Sequence, residues 1–265
     1  MEFNENNSIQ NDYQVCGLIS CMNRYKTIPF GTEIINNRSI VEITGEAGTG
    51  KSKLCYYFTL YTIMPEKYGG HEKSCLFITT YNRLSDDKLK DFLYEPAKAK
   101  GLTDNDFNLM LKKLIYKHLC FEDFQRFINE DFEKFLVENR IQTIIIDNIS
   151  CLCDEKFQED KVYNYPARHK FLFDFFFQLN GLILKYNLFC FCVNEVRALF
   201  ENDIGMNYYN SIKPAMGKTW ENNLGTRLFL KKNKNTKRWI EVAFSNFLIK
   251  HYFEFQITQN GFEFL

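Results

Sequence analysis

The spacing of hydrophobic and polar positions changes period several times along this chain, and each change predicts an element. Ile40-Val41-Glu42-Ile43 reads as a short strand running into a Gly-rich turn at 45–50. A helix is expected from Lys51 to Ile63, stopped by Pro65, which cannot continue a helical ladder. Cys75-Leu76-Phe77-Ile78 is a second strand, Leu84–Leu93 and Leu102–Lys112 have helical spacing, and Leu114-Ile115-Tyr116 is a third strand. Phe121, Phe124, Ile128, Phe132, Phe135 and Leu136 recur every three or four residues, one apolar face of a helix ending near Arg140. The unbroken apolar run Thr143–Ile146 suits a strand covered on both faces.

Residues 151–166 then read as a loop, Arg168–Lys185 as a helix and Leu188–Val193 as a strand. Residues 197–218 hold Gly, Asn and Pro with few apolar positions; a loop that long usually has a function. Thr226–Leu230, Trp239–Phe244 and Phe253–Ile257 alternate strictly, the pattern of antiparallel hairpins. Strands alternating with helices, followed by hairpins, predict a single α/β domain. It has a mostly parallel central sheet flanked by helices and a C-terminal antiparallel extension. Residues 1–16 are expected to form a flexible N-terminal segment.

Composition narrows the function classes. The 265 residues carry 33 Lys+Arg against 33 Asp+Glu, so nucleic-acid binding by bulk positive charge is excluded while a local basic patch is not. The 27 Phe, against 15 Tyr and two Trp, are read as core. The nine Cys show no ladder of ligand spacings; Cys151/Cys153 and Cys190/Cys192 are C-x-C pairs in apolar runs, where period two sets both thiols on one face of a strand. They read as small buried hydrophobes in a reducing compartment. The N-terminus has no secretory pattern, and the greasiest span, Phe171–Val193, is interrupted by Asp174 and Lys185, so no membrane segment is expected.

The chemistry lies in three places. Gly45-Glu46-Ala47-Gly48-Thr49-Gly50-Lys51-Ser52 fits G-x₄-G-K-[ST] between a strand and a helix. Such a loop wraps its amides around phosphates, with the Lys51 ammonium on the β- and γ-phosphates and the Ser52 hydroxyl on Mg²⁺. The strand Thr143–Ile146 ends in Asp147, which sets a carboxylate beside that metal, so Ser52 and Asp147 are the expected metal ligands. Asn194 and Glu195, at the end of the strand before the long loop, are candidates to face the γ-phosphate.

These residues, in this order, resemble the RecA-like recombinases of homologous recombination in their eukaryotic Rad branch. The more specific part is Pro214-Ala215-Met216-Gly217-Lys218-Thr219-Trp220 followed by Thr226-Arg227-Leu228. That string resembles the recombinase paralogues, and among those it looks most similar to the X-ray-repair cross-complementing type, third member. Pro166-Ala167-Arg168-His169 also looks like the segment after the first DNA-binding loop there. The resemblance implies a RecA-like P-loop NTPase core over 17–265, ATP and Mg²⁺ as cofactors, and a nuclear protein working on DNA. It implies partners: another recombinase paralogue subunit stacked across the nucleotide, the main strand-exchange recombinase, and single-stranded or branched DNA bound weakly by this chain alone. Two DNA-facing loops follow, about 152–167 and 196–213, with Lys156, Lys161, Arg168, Arg197 and Lys213 as phosphate contacts and Tyr208 and Tyr209 as stacking rings.

Departures from the family pattern bear on turnover. Tyr81 stands about where the family has the Glu that activates the attacking water, and a phenol with a pKa near 10 does not replace it. Glu195 stands where the family has a γ-phosphate-sensing Gln. Both changes point to nucleotide binding with weak or absent hydrolysis, and no catalytic residue is assigned. Too few residues precede the P-loop strand for the family's small helical N-terminal domain, so a capping or bridging subunit is expected. The competing readings are an active DNA-dependent ATPase, with a carboxylate such as Glu46 acting instead, and a P-loop small-molecule kinase.

Overall fold

The computed structural model describes residues 26–80, 86–157, 165–198 and 212–265. Its strands are β1 (Thr27–Phe30), β2 (Glu33–Asn36), β3 (Ile40–Gly45), β4 (Ser74–Thr79), β5 (Leu114–His118), β6 (Ile141–Asp147) and β7 (Phe189–Asn194). They continue as β8 (Val196–Ala198), β9 (Ile212–Pro214), β10 (Thr226–Lys232), β11 (Arg238–Ser245), β12 (Tyr252–Thr258) and β13 (Gly261–Phe264). The helices are α1 (Lys51–Ile63), α2 (Asp86–Ala99), α3 (Asp104–Leu111), α4 (Phe121–Glu130), α5 (Phe132–Glu138), α6 (Ile149–Phe157), α7 (Tyr165–Tyr186) and α8 (Gly217–Glu221).

One nine-stranded sheet runs in the order β13-β12-β11-β10-β3-β7-β6-β4-β5. From β10 to β5 all neighbours are parallel; β10 to β13 pair antiparallel. The expected fold class therefore holds. β3 and β7 are buried at every position, because both of their faces are covered. One face carries α1, whose Phe58 stacks on Phe191 of β7 at 3.9 Å. The other carries a second cluster with Phe124, Phe175 and Trp220. Many of the described Phe are core, as Phe30 of the β1–β2 hairpin packing on Phe253 and Phe264 at 4.8 Å each shows, but Phe173 and Phe177 of α7 are exposed and depart from that reading.

Several expectations need correction. The single helix to Arg140 is two, because Asp131 leaves helical geometry (φ −120, ψ −6) between α4 and α5. The four-residue step from Ile128 to Phe132 keeps the apolar phase across the break, so periodicity alone hides it. Residues 151–157, expected as loop, are helical: Asn148 Oδ1 accepts from the Cys151 amide at 2.7 Å and caps α6. Cys151 and Cys153 are therefore on a helix, with Cys153 buried and Cys151 half-buried. Cys190 and Cys192 do share one strand face, inside the second cluster. Within 197–218, β8 pairs antiparallel with β9, and 217–221 form α8. The β1–β2 hairpin and β13 carry no pattern strong enough to be expected from sequence. Among the described residues no helix is long and apolar enough to cross a membrane.

The hairpin is tied to the body through His71, whose Nε2–H donates to the Thr27 carbonyl at 2.8 Å while the ring stacks on Phe189 at 5.6 Å. Burial holds this imidazole below its ordinary pKa of 6.5, helped by Lys26 and opposed by the Thr27 bond. Its Nδ1 is buried with no partner among the described residues, so a second ring proton has no acceptor. The unfolded chain then takes up the proton first as pH falls. The stability that His71 contributes is complete above about 6.5 and is lost as pH drops towards the lowered folded value. The denaturation midpoint is expected to fall between pH 7 and pH 5, and to fall less in His71→Gln. Equal pH slopes in the two proteins would remove His71 from the account.

Candidate functional site: a phosphate loop and a basic groove

β3 ends at Gly45, where the chain turns through the loop to the first turn of α1. Gly45 is required: at φ +151 its added Cβ would collide with the Leu230 carbonyl of the neighbouring strand. Gly50 sits at φ +114 with a Cβ position 2.8 Å from Ile257 Cδ1 of β12. The C-terminal strands thus close over the root of the loop, while Ala47 and Gly48 stay exposed at its tip. Thr49 Oγ1 donates back to the Glu46 carbonyl at 2.8 Å and helps fix the curl. The expected loop Gly45–Ser52 is therefore a strand-to-helix cradle whose open side faces solvent.

Lys51 starts α1 and folds back over the loop, donating to the carbonyls of Gly45 (2.7 Å) and Glu46 (3.1 Å) and to Glu195 Oε2 (3.2 Å). Ser52 Oγ donates to Asp147 Oδ2 at 2.8 Å, so the two expected metal ligands meet. Burial raises the Asp147 carboxyl above its ordinary range; the Ser52 bond and Lys51 oppose this, and Glu195 adds to it. Thr80 Oγ1 donates to the Asn148 carbonyl at 2.6 Å and accepts from the Asn148 amide at 3.1 Å, fixing the end of β6 against the end of β4.

Asn194 and Glu195, expected together at the γ-phosphate, separate. Glu195 reaches Lys51 and also accepts from Asn148 Nδ2 at 3.2 Å. Asn194 is fully buried and turns to the other side, donating to Glu42 Oε1 at 2.6 Å. This corrects the reading of Asn194: alternation along β7 places its neighbour, not itself, at the loop.

Glu42 is a residue that sequence reasoning missed. In the middle of β3 it is 0% exposed and accepts from Asn194, from Trp220 Nε1 at 2.7 Å and from Arg227 Nε. Arg227 donates in addition to Glu221 at 2.7 Å. The available signal was a lone carboxylate within an otherwise apolar buried strand, which must have a cationic or donor partner.

The expected DNA-facing residues divide. Arg168, Arg197 and Lys213 line one groove of about 640 Å³ together with Tyr165 and Lys218. Arg197 and Lys213 are cross-strand partners in the β8–β9 ribbon. Arg197 is paired with Asp154 at 2.7 Å. Lys156 lies apart, paired with Glu122 at 3.0 Å. Tyr81, Lys161, Tyr208 and Tyr209 lie outside the described residues. No group of three or more His, Cys, Asp or Glu suited to a metal occurs among the described residues.

Comparison with known proteins matches residues 26–264 to the family model described as Rad51. The chain is 23% identical over 242 residues to DNA repair protein RAD51 homolog 2 of Homo sapiens, covering 84% of this chain and 62% of the relative. It is 26% identical over 227 residues to DNA repair protein RAD51 of Saccharomyces cerevisiae, covering 86% and 54%. With the DNA repair protein XRCC3 homolog of Arabidopsis thaliana it shares 23% over 269 residues, covering 84% and 85%. The matches to the human and yeast proteins thus span less than two thirds of those proteins' lengths.

Proposed function

This chain belongs to the Rad51 family, and on that premise we propose that it is an ATP-binding recombinase-paralogue subunit of DNA repair by homologous recombination. In this reading it works in the nucleus, within a hetero-complex that supports assembly of recombinase filaments, and hydrolyses ATP weakly or not at all. The observation that carries the nucleotide part is the joined pair Ser52–Asp147 beside Lys51 at an open glycine cradle. The residues suit a magnesium nucleotide. Gly48 has nothing within 4 Å of its Cβ position, and two protein oxygens match the sparse protein ligation of Mg²⁺. When bound, the metal would neutralise phosphate charge; Ser52 and Asp147 would hold it, and Lys51 would face the phosphates.

Weak hydrolysis is supported by the end of β4. That strand lies beside β6, with Thr79 opposite Asp147, and its end offers the hydroxyls of Thr79 and Thr80. Both are engaged, Thr79 with the Tyr116 hydroxyl at 2.8 Å and Thr80 with Asn148. Neither is a base at neutral pH, and the chain continues to Tyr81. The groove of Arg168, Arg197 and Lys213 supports DNA as partner. Its counter-charges Asp154 and Glu221 support weak binding by the chain alone, since backbone affinity follows the net phosphates neutralised.

The test is phosphate release from ATP by the purified chain, with and without single-stranded DNA. Release no faster than about one per minute is expected, in the range of intrinsically slow P-loop proteins. Turnover of several per minute that Lys51→Ala abolishes would replace this reading by that of an active ATPase.

A further inference from the structure

Lys51 has three N–H donors, and each has an acceptor: two loop carbonyls and the Glu195 carboxylate. Its charged partner is therefore supplied by the protein itself, at the point where a P-loop lysine meets the terminal phosphates of a nucleotide. Glu195 is no loosely swinging side chain. Its second oxygen accepts from Asn148 Nδ2 at 3.2 Å, its amide donates to Ser150 Oγ at 3.1 Å, and its carbonyl accepts from the Ala215 amide at 2.8 Å. Asn148 is in turn set by Thr80 and by the cap of α6. Four residues thus hold Glu195 at the mouth of the cradle, Lys51 and Asn148 through its carboxylate and Ser150 and Ala215 through its backbone, with Lys51 at 9% and Glu195 at 39% side-chain exposure.

We propose that Glu195 is a specificity-determining residue: a built-in anion on Lys51 that makes this site select nucleoside diphosphates over triphosphates. This rests on the reading of the loop as a nucleotide site and deepens it. A third phosphate group reaching Lys51 has to displace the carboxylate and then lie beside it, anion against anion, with the Asp147 carboxylate close by. A diphosphate presents Lys51 with its β-phosphate alone, on the loop side where the Gly45 and Glu46 carbonyls now hold the ammonium, and can leave the Glu195 contact standing.

The experiment is titration of the whole chain with ADP and with ATP, each with Mg²⁺, read as dissociation constants by displacement of a fluorescent nucleotide. The wild-type protein is expected to bind ADP more tightly than ATP. Glu195→Gln keeps the side-chain shape and removes the charge. It should strengthen ATP binding about tenfold, a like-charge penalty discounted for partial exposure, while ADP affinity stays within about twofold. Glu195→Ala should move the ratio the same way, which separates charge from an added amide. If both nucleotides bind and the ATP-to-ADP ratio is the same in all three proteins, the selectivity proposal is overturned and the nucleotide reading stands. If neither nucleotide binds the wild-type protein, both are overturned.

Discussion

Arg227→Met is expected to destabilise the protein by about 3–5 kcal/mol, the usual cost of stripping one partner from a buried ion pair. Glu42 has no access to water and accepts bonds from Arg227, Trp220 and Asn194. Without the guanidinium its negative charge remains in the middle of the sheet, balanced only by two neutral donors. Glu221 also loses its 2.7 Å partner, and the ring of Phe244 loses the cation 5.3 Å from its centre. Glu42→Leu fails differently, because it removes the charge but leaves the Trp220 and Asn194 donors buried without an acceptor. The double variant should therefore recover part, not all, of the Arg227→Met loss. The check is the shift in denaturant midpoint at unchanged slope across the four proteins. A loss below about 1 kcal/mol for Arg227→Met would mean that water reaches Glu42.

Lys51→Ala is expected to weaken nucleotide binding by roughly 2–5 kcal/mol, the cost of truncating one partner of a largely desolvated charge pair. Lys51 is the nearest cation to a crowded anionic corner, donating to Glu195 and acting on the Asp147 carboxyl. Removing it exposes an incoming phosphate to both carboxylates with no ammonium between them. Calorimetric titration of the folded variant reads this directly, with circular dichroism verifying the fold. The proposed paralogue subunit should also lose its nucleotide-dependent association. Unchanged partner affinity with ATP present would make the loop a relic that plays no part in assembly.

Much of the parallel core was legible in the sequence because buried parallel strands write themselves as apolar runs. Ile40–Ile43, Cys75–Ile78, Thr143–Ile146 and, but for its first residue, Leu188–Val193 all lie in central strands. The loop from Gly45 to Ser52 was legible because phosphate binding needs glycine, lysine and hydroxyl at fixed spacing. What stayed hidden was set by tertiary contacts. α6 depends on an Asn148 cap whose own position is fixed by Thr80, 68 residues earlier. The β8–β9 ribbon joins two three-residue strands too short to show alternation. Asn194 and Glu195 were adjacent letters of equal promise; the pleat of β7 sends one to the loop and the other to Glu42.

The position of β3 also decides when the site can exist during synthesis. β3 is the first strand of the large sheet to be made, yet its neighbours β7 and β10 belong to the later part of the chain. Glu42 meets Asn194 across 152 residues and Arg227 across 185. Closing such spans is entropically costly and slow relative to local helix formation. Lys51 and Ser52 therefore leave the ribosome long before the strand beneath them is flanked on both sides. Nucleotide cannot assist folding through this loop until β10 has been made.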